Sequence, residues 1–130
     1  MTAPYARSLR NATDGSFSCL CQTAIEGRRA VRQLTLYSER FQLSESELQI
    51  LWCLCGTAGT GVDQTTLAAL LALSPPQVSA CVEKLRGRGL IVNNEVEGDR
   101  RRRLWQPSAN GRFMLRDIVH SAGESMEAAA

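Results

Sequence analysis

The stretch from Leu73 to Leu90 constrains this chain more than any other, because both ends of a short helix are written into it. Ser74 is suited to an N-cap, where its hydroxyl accepts from an orphan N–H of the first turn. Pro75 follows at the first helical position, where no donor is missed. Gln77 completes a Ser-x-x-Gln capping box, and Leu73 with Val78 fits a hydrophobic staple. Val78, Cys81, Val82 and Leu85 share one face at helical spacing, so that side is predicted to be buried. Gly87 and Gly89 end the helix, and Leu90-Ile91-Val92 reads as a short strand. The opposite side displays Gln, Ser and Ala with basic residues close behind, which suits a DNA major groove.

The rest of the chain supplies what such a helix needs around it. Residues 1–15 read as a flexible tail and 16–130 as a single domain. A long helix is predicted over 17–40, with Phe17, Leu20, Ala24, Val31 and Leu34 on one stripe. That stripe requires a cover, either the C-terminal helix or a second copy of the chain. Ser44-Glu45-Ser46-Glu47 is a second capping box, opening a helix from Leu48 to Cys55 that is apolar nearly all round and so expected to be central. Gly56, Gly59 and Gly61 break it. Asp63 caps a third helix ending near Leu73, and a turn of a few residues leads to the Ser74 helix, as in a helix-turn-helix. Beyond Val92, four consecutive arginines (Arg100 to Arg103) follow Gly98-Asp99, and Leu104-Trp105-Gln106 returns as a strand, giving a hairpin with a basic tip. Ser108 caps a last helix over 108–130, with Leu115, Ile118, Ala122 and Met126 on its stripe.

Charge is unevenly placed. The net +2 of the chain conceals +5 between Ser74 and Arg116 and −3 over 117–130, which favours a polyanionic partner near the hairpin. No apolar run reaches the roughly 18 residues of a membrane span and no apolar signal segment opens the chain, so a cytoplasmic location without membrane contact is expected. Five cysteines and one histidine include no Cys-x-x-Cys, and neither a metal nor another cofactor is expected. No Ser/His/Asp, paired-carboxylate or Gly-rich phosphate arrangement is present, so the chain does not read as an enzyme.

The predicted architecture is mainly α with a small β-hairpin wing: a winged helix-turn-helix core at about 44–107 flanked by N- and C-terminal helices. Several local motifs resemble those of the MarR family of bacterial transcription regulators. Leu43 to Leu51 is similar to that family's opening of the second helix, and Thr66 to Leu71 to its third. Leu85, Gly89, Leu90 and Ile91 resemble its exit from the recognition helix. Asp99 and Arg101 match its Asp-x-Arg wing motif, and Gly111 falls at the expected distance beyond. The resemblance spans about residues 17–120. It implies that the flanking helices are dimerisation helices, and that the chain is a homodimer binding a palindromic operator in double-stranded DNA. It further implies a regulator, most simply a ligand-responsive repressor, released by a small-molecule inducer or by oxidation.

The DNA-facing residues expected on this reading are Ser74, Pro76, Gln77, Ser79, Ala80, Lys84 and Arg88 of the helix, and Asp99, Arg101 and Arg103 of the wing. Gln77 is open to two uses, base contact or capping, and Ala80 stands where many members carry a polar residue. Arg101 is the foremost minor-groove candidate, with Asp99 placed to orient it. Strand alternation puts Arg101 and Arg103 on one face. Cys19 and Cys21 lie near where peroxide-sensing members keep a reactive thiol, so a thiol-responsive regulator is an alternative; Cys21 is expected in the core and Cys19 outside it. A winged helix that binds protein is the second alternative.

Overall fold

The computed structural model describes residues 14–57, 59–96 and 99–129, the side chains at 14, 95–96, 99–102 and 125–129 excepted. The expected tail lies outside the described residues as far as residue 13. The elements in order are α1 (Asp14–Arg40), α2 (Glu45–Gly56), α3 (Gln64–Leu71), α4 (Pro75–Gly87), β1 (Ile91–Val96), β2 (Asp99–Pro107) and α5 (Ala109–Ala129). The chain divides into two compact units, Met1–Leu36 and Tyr37–Ala130. The first is described through α1 alone, where Phe17, Leu20, Ile25 and Val31 are exposed.

In the second unit the caps determine where helices start. Ser44 and Glu47 form the reciprocal capping box of α2, and the Asp63 carboxylate accepts from the Thr66 N–H at 2.7 Å to open α3. The α3 helix ends at Ala72, a non-glycine residue in the left-handed region (φ 53°), and three residues later α4 begins at a bend of 115°. That angle is the helix-turn-helix geometry. Leu48, Ile50, Leu51 and Leu54 of α2, Leu67 of α3, and Val78, Val82 and Leu85 of α4 form one core. The helix α2 is not covered all round, however. Trp52 lies on its free side, 60 % exposed.

The strands β1 and β2 pair antiparallel, from Ile91 with Pro107 outwards. A third segment joins the free edge of β2, because Val62 and Trp105 exchange both backbone hydrogen bonds, at 3.0 and 2.9 Å. Gly61 makes this approach possible. A Cβ there would stand 2.8 Å from the Trp105 carbonyl oxygen, and its φ of +102° disfavours any side chain. The Asn94 and Gln106 amides donate to the Thr60 and Gly59 carbonyls, so the root of the wing is stitched to the loop before α3.

At the outer end the pairing is irregular. The register passes from Glu95 with Arg103 to Val96 with Asp99, a shift that interrupts the two-residue alternation expected from Arg100 to Arg103. The prediction that Arg101 and Arg103 share a strand face therefore has no support from the ladder. No helix among the described residues is long and apolar enough to cross a membrane by itself.

Candidate nucleic-acid interface

The helix α4 presents two contrasting sides. Val78, Val82 and Leu85 are wholly buried, and Cys81 partly so. On the opposite side Pro76, Ala80, Glu83 and Gly87 follow the i, i+4, i+7, i+11 spacing of a single line, and all four are exposed. Ser79 and Arg86 flank that line on one edge and Gln77 and Lys84 on the other; all are exposed.

Both arms of the predicted capping box are made. The Ser74 hydroxyl accepts from the Gln77 N–H at 3.3 Å, and the Ser74 N–H donates to Gln77 Oε1 at 3.0 Å. Ser74 is thus occupied in starting the helix. Gln77 is half occupied, with its amide nitrogen remaining as a donor. Such a group suits guanine N7 or O6 better than the bidentate pairing with adenine, which needs both ends of the amide.

Arg88 is exposed at the end of α4 and bonded within its own chain. Its guanidinium donates to the Gln42 carbonyl at 2.7 Å and the Phe41 carbonyl at 3.1 Å, in the turn between α1 and α2. Gln42 sits at φ 59°, and its carbonyl is turned to meet that cation. Arg88 therefore fastens the end of α4 to that turn. Lys84, on the same edge, shares a shallow groove with Glu39, Ser44 and Glu47.

Glu83 is not among the residues that the sequence pattern singles out, whereas Arg86, with Lys84 and Arg88, is a candidate phosphate contact by its basic charge near the helix end. The side chains of Glu83 and Arg86 form an ion pair at 2.9 Å, half exposed on both sides. The Glu83 carboxyl is held below its usual range by the hydrogen bond and then the charge of Arg86, with a smaller contribution from Arg103 of the wing. Glu83, three residues before a basic residue and in line with Pro76 and Ala80, is the signal that the sequence carries. The side chains of Asp99 and Arg101 lie outside the described residues.

Cys19 and Cys21 are both exposed. The expected burial of Cys21 is corrected: it lies on a stretch of α1 where Phe17, Leu20 and Ile25 are exposed too. Burial pushes the thiols of Cys53, Cys55 and Cys81 up, keeping them protonated and poorly nucleophilic. Among the described residues no cluster of His, Cys, Asp and Glu could hold a metal ion.

The helix-turn-helix with its hairpin defines a winged helix. More narrowly, the fold is the winged helix of MarR-type transcriptional regulators, as similarity to solved structures shows. The transcriptional regulator BldR from Sulfolobus solfataricus superimposes with a TM-score of 0.75 at 18 % identity, over 92 % of this chain and 87 % of that one. A MarR-family regulator from Rhodococcus gives 0.69 at 22 % identity, covering 90 % and 80 %. A Staphylococcus aureus MepR variant bound to an oligodeoxyribonucleotide gives 0.68 at 19 % identity, covering 87 % and 80 %. No protein-family model and no curated protein sequence matches the chain.

Proposed function

We propose that this chain is a sequence-specific DNA-binding transcription regulator acting as a homodimer in the cytoplasm. One observation carries the reading. The second helix of a 115° helix-turn-helix offers an exposed side beside a hairpin whose strand brings a run of arginines. Ser79, Ala80, Gln77 and Lys84 then lie toward the major groove, and Arg101 and Arg103 toward the flanking backbone and minor groove. The oligodeoxyribonucleotide bound by the MepR variant supports DNA as the partner.

Salt dependence tests the assignment. A duplex enriched from a random-sequence pool serves as probe, and affinity is measured against salt. Removing a single phosphate contact lowers the slope of log affinity on log salt by about 0.9, because one fewer counterion is released. Arg101→Ala is expected to weaken binding to every sequence and flatten the slope by that amount. Arg88→Ala is expected to lower the melting temperature and leave the slope unchanged, since its donors meet carbonyls of its own chain. A wild-type slope in Arg101→Ala would remove the hairpin from the interface and move the protein-binding alternative ahead.

The dimer is supported by the exposed apolar residues of α1, among them Leu20 at 65 % exposure. A monomer leaving such a stripe in water would be prone to associate. Sedimentation at micromolar concentration is expected to give about twice 14.2 kDa, and a clean monomer would refute the two-fold reading of a palindromic operator. A ligand-responsive repressor is the form of regulation we favour. The inducer would have a place in a cavity of about 360 Å³ lined by Leu54, Cys55, Gln106, Pro107 and Arg112, between α2, the wing root and α5.

A further inference from the structure

Glu83 is an unusual residue to find in the middle of a surface that meets a polyanion. Its neighbours along the exposed line of α4, Pro76, Ala80 and Gly87, carry no side-chain polar group. Glu83 is therefore the one residue of that line with a polar side chain, on the side of the helix that would face base edges in a major groove.

Three physical facts determine what such a carboxylate can do. Ionised, it accepts hydrogen bonds and cannot donate any. Arg86 grips Oε2 at 2.9 Å on the same helix, which steadies the side chain and leaves Oε1 open to a second donor. The positive charge of Arg86, with a lesser contribution from Arg103, offsets the repulsion that a bare carboxylate would meet near phosphates. In the major groove cytosine presents an amino donor, while adenine sets an acceptor, N7, beside its own. An acceptor-only group is thus welcomed by cytosine and rejected by most other edges. Discrimination through the penalty on wrong partners is a common route to specificity.

We propose that Glu83 is a specificity-determining residue, whose carboxylate, steadied by Arg86, accepts a hydrogen bond from the amino group of one cytosine in each half-site. The proposal rests on the DNA-binding reading above. It makes Glu83 a residue that lowers affinity for DNA in general and raises selectivity for one base pair.

The test is selection from a random-sequence duplex pool with the 130-residue chain as wild type, and its Glu83→Ala and Glu83→Gln variants. Glu83 is exposed, and all three are expected to keep the same helical circular dichroism. Wild type is expected to enrich a C·G pair in each half-site. Glu83→Ala should lose about tenfold preference at that pair and keep the rest of the motif. It should also bind unselected duplex more tightly, with a salt slope steeper by about 0.9, because Arg86 is released to meet a phosphate. Glu83→Gln should move the preference toward adenine, whose N6 and N7 suit an amide. If Glu83→Ala enriches the wild-type motif unchanged, Glu83 reads no base and the proposal falls while the DNA-binding reading stands. If wild type binds no duplex and enriches nothing, both fall together.

Discussion

Gly111→Ala is expected to unfold the second unit or leave it barely stable. A Cβ at this position would clash with the Leu90 carbonyl oxygen, far inside van der Waals contact distance, and stand 3.2 Å from Leu51 Cδ1. Neither neighbour can yield cheaply. The Leu90 carbonyl accepts the Ser108 N–H at 3.0 Å, and the Ser108 hydroxyl in turn donates to the Gly89 carbonyl at 2.5 Å. The Gly111 N–H closes this small network by donating to Ser108 Oγ at 3.0 Å. The start of α5 is therefore locked on the chain segment that joins α4 to β1. Separating them would break these bonds and leave backbone groups unpaired. We expect a loss of at least about 3 kcal/mol, or roughly 10 °C or more in melting temperature for a domain of this size. A melting temperature within a degree or two of wild type would mean that α5 does not sit on Leu90 in this way. The same contact explains why a glycine is found at this distance beyond the wing.

How legible the fold and site are in the sequence depends on how far apart the interacting residues lie. The capping boxes of Ser44–Glu47 and Ser74–Gln77 and the Asp63 cap involve residues three apart, and their chemistry is local, so the helix starts can be read directly. The buried stripe of α4 follows from its 3.6-residue period. The role of Arg88 cannot be read, because the carbonyls it meets lie 46 and 47 residues away and no local pattern announces them. The shift of register beyond Glu95 is hidden too, since strand alternation gives no sign of a bulge unless a glycine or proline marks it. Glu83 is legible in principle, through its spacing to Arg86. An acidic residue is easily discounted, however, on a surface expected to be basic. Burial of Cys21 is an inference from a stripe whose cover the sequence cannot name.

The largest effect on the wing should come from Trp105, although it lies far from any base. Its ring is wholly buried at the root of β2, and its backbone carries both hydrogen bonds to Val62. Removing it opens a cavity under the hairpin and releases the strand edge, so Trp105→Ala is expected to cost about 3–5 kcal/mol. Trp105→Phe separates ring packing from the indole nitrogen. Among the described residues Nε1 finds no hydrogen-bond acceptor, so replacing it removes a buried donor that is already a liability. That gain offsets much of the lost volume, and the Phe variant is expected to stay within about 1.5 kcal/mol of wild type. Chemical denaturation of the three proteins measures both differences. Equal loss in the two variants would show that the indole N–H makes a stabilising bond. DNA binding should follow the same order through geometry. Arg103 stands two residues from Trp105 on the same strand, so its position depends on a fixed wing root. Under conditions where Trp105→Ala remains folded, its weaker affinity should come with a flatter salt slope, as expected when a basic hairpin no longer reaches phosphate.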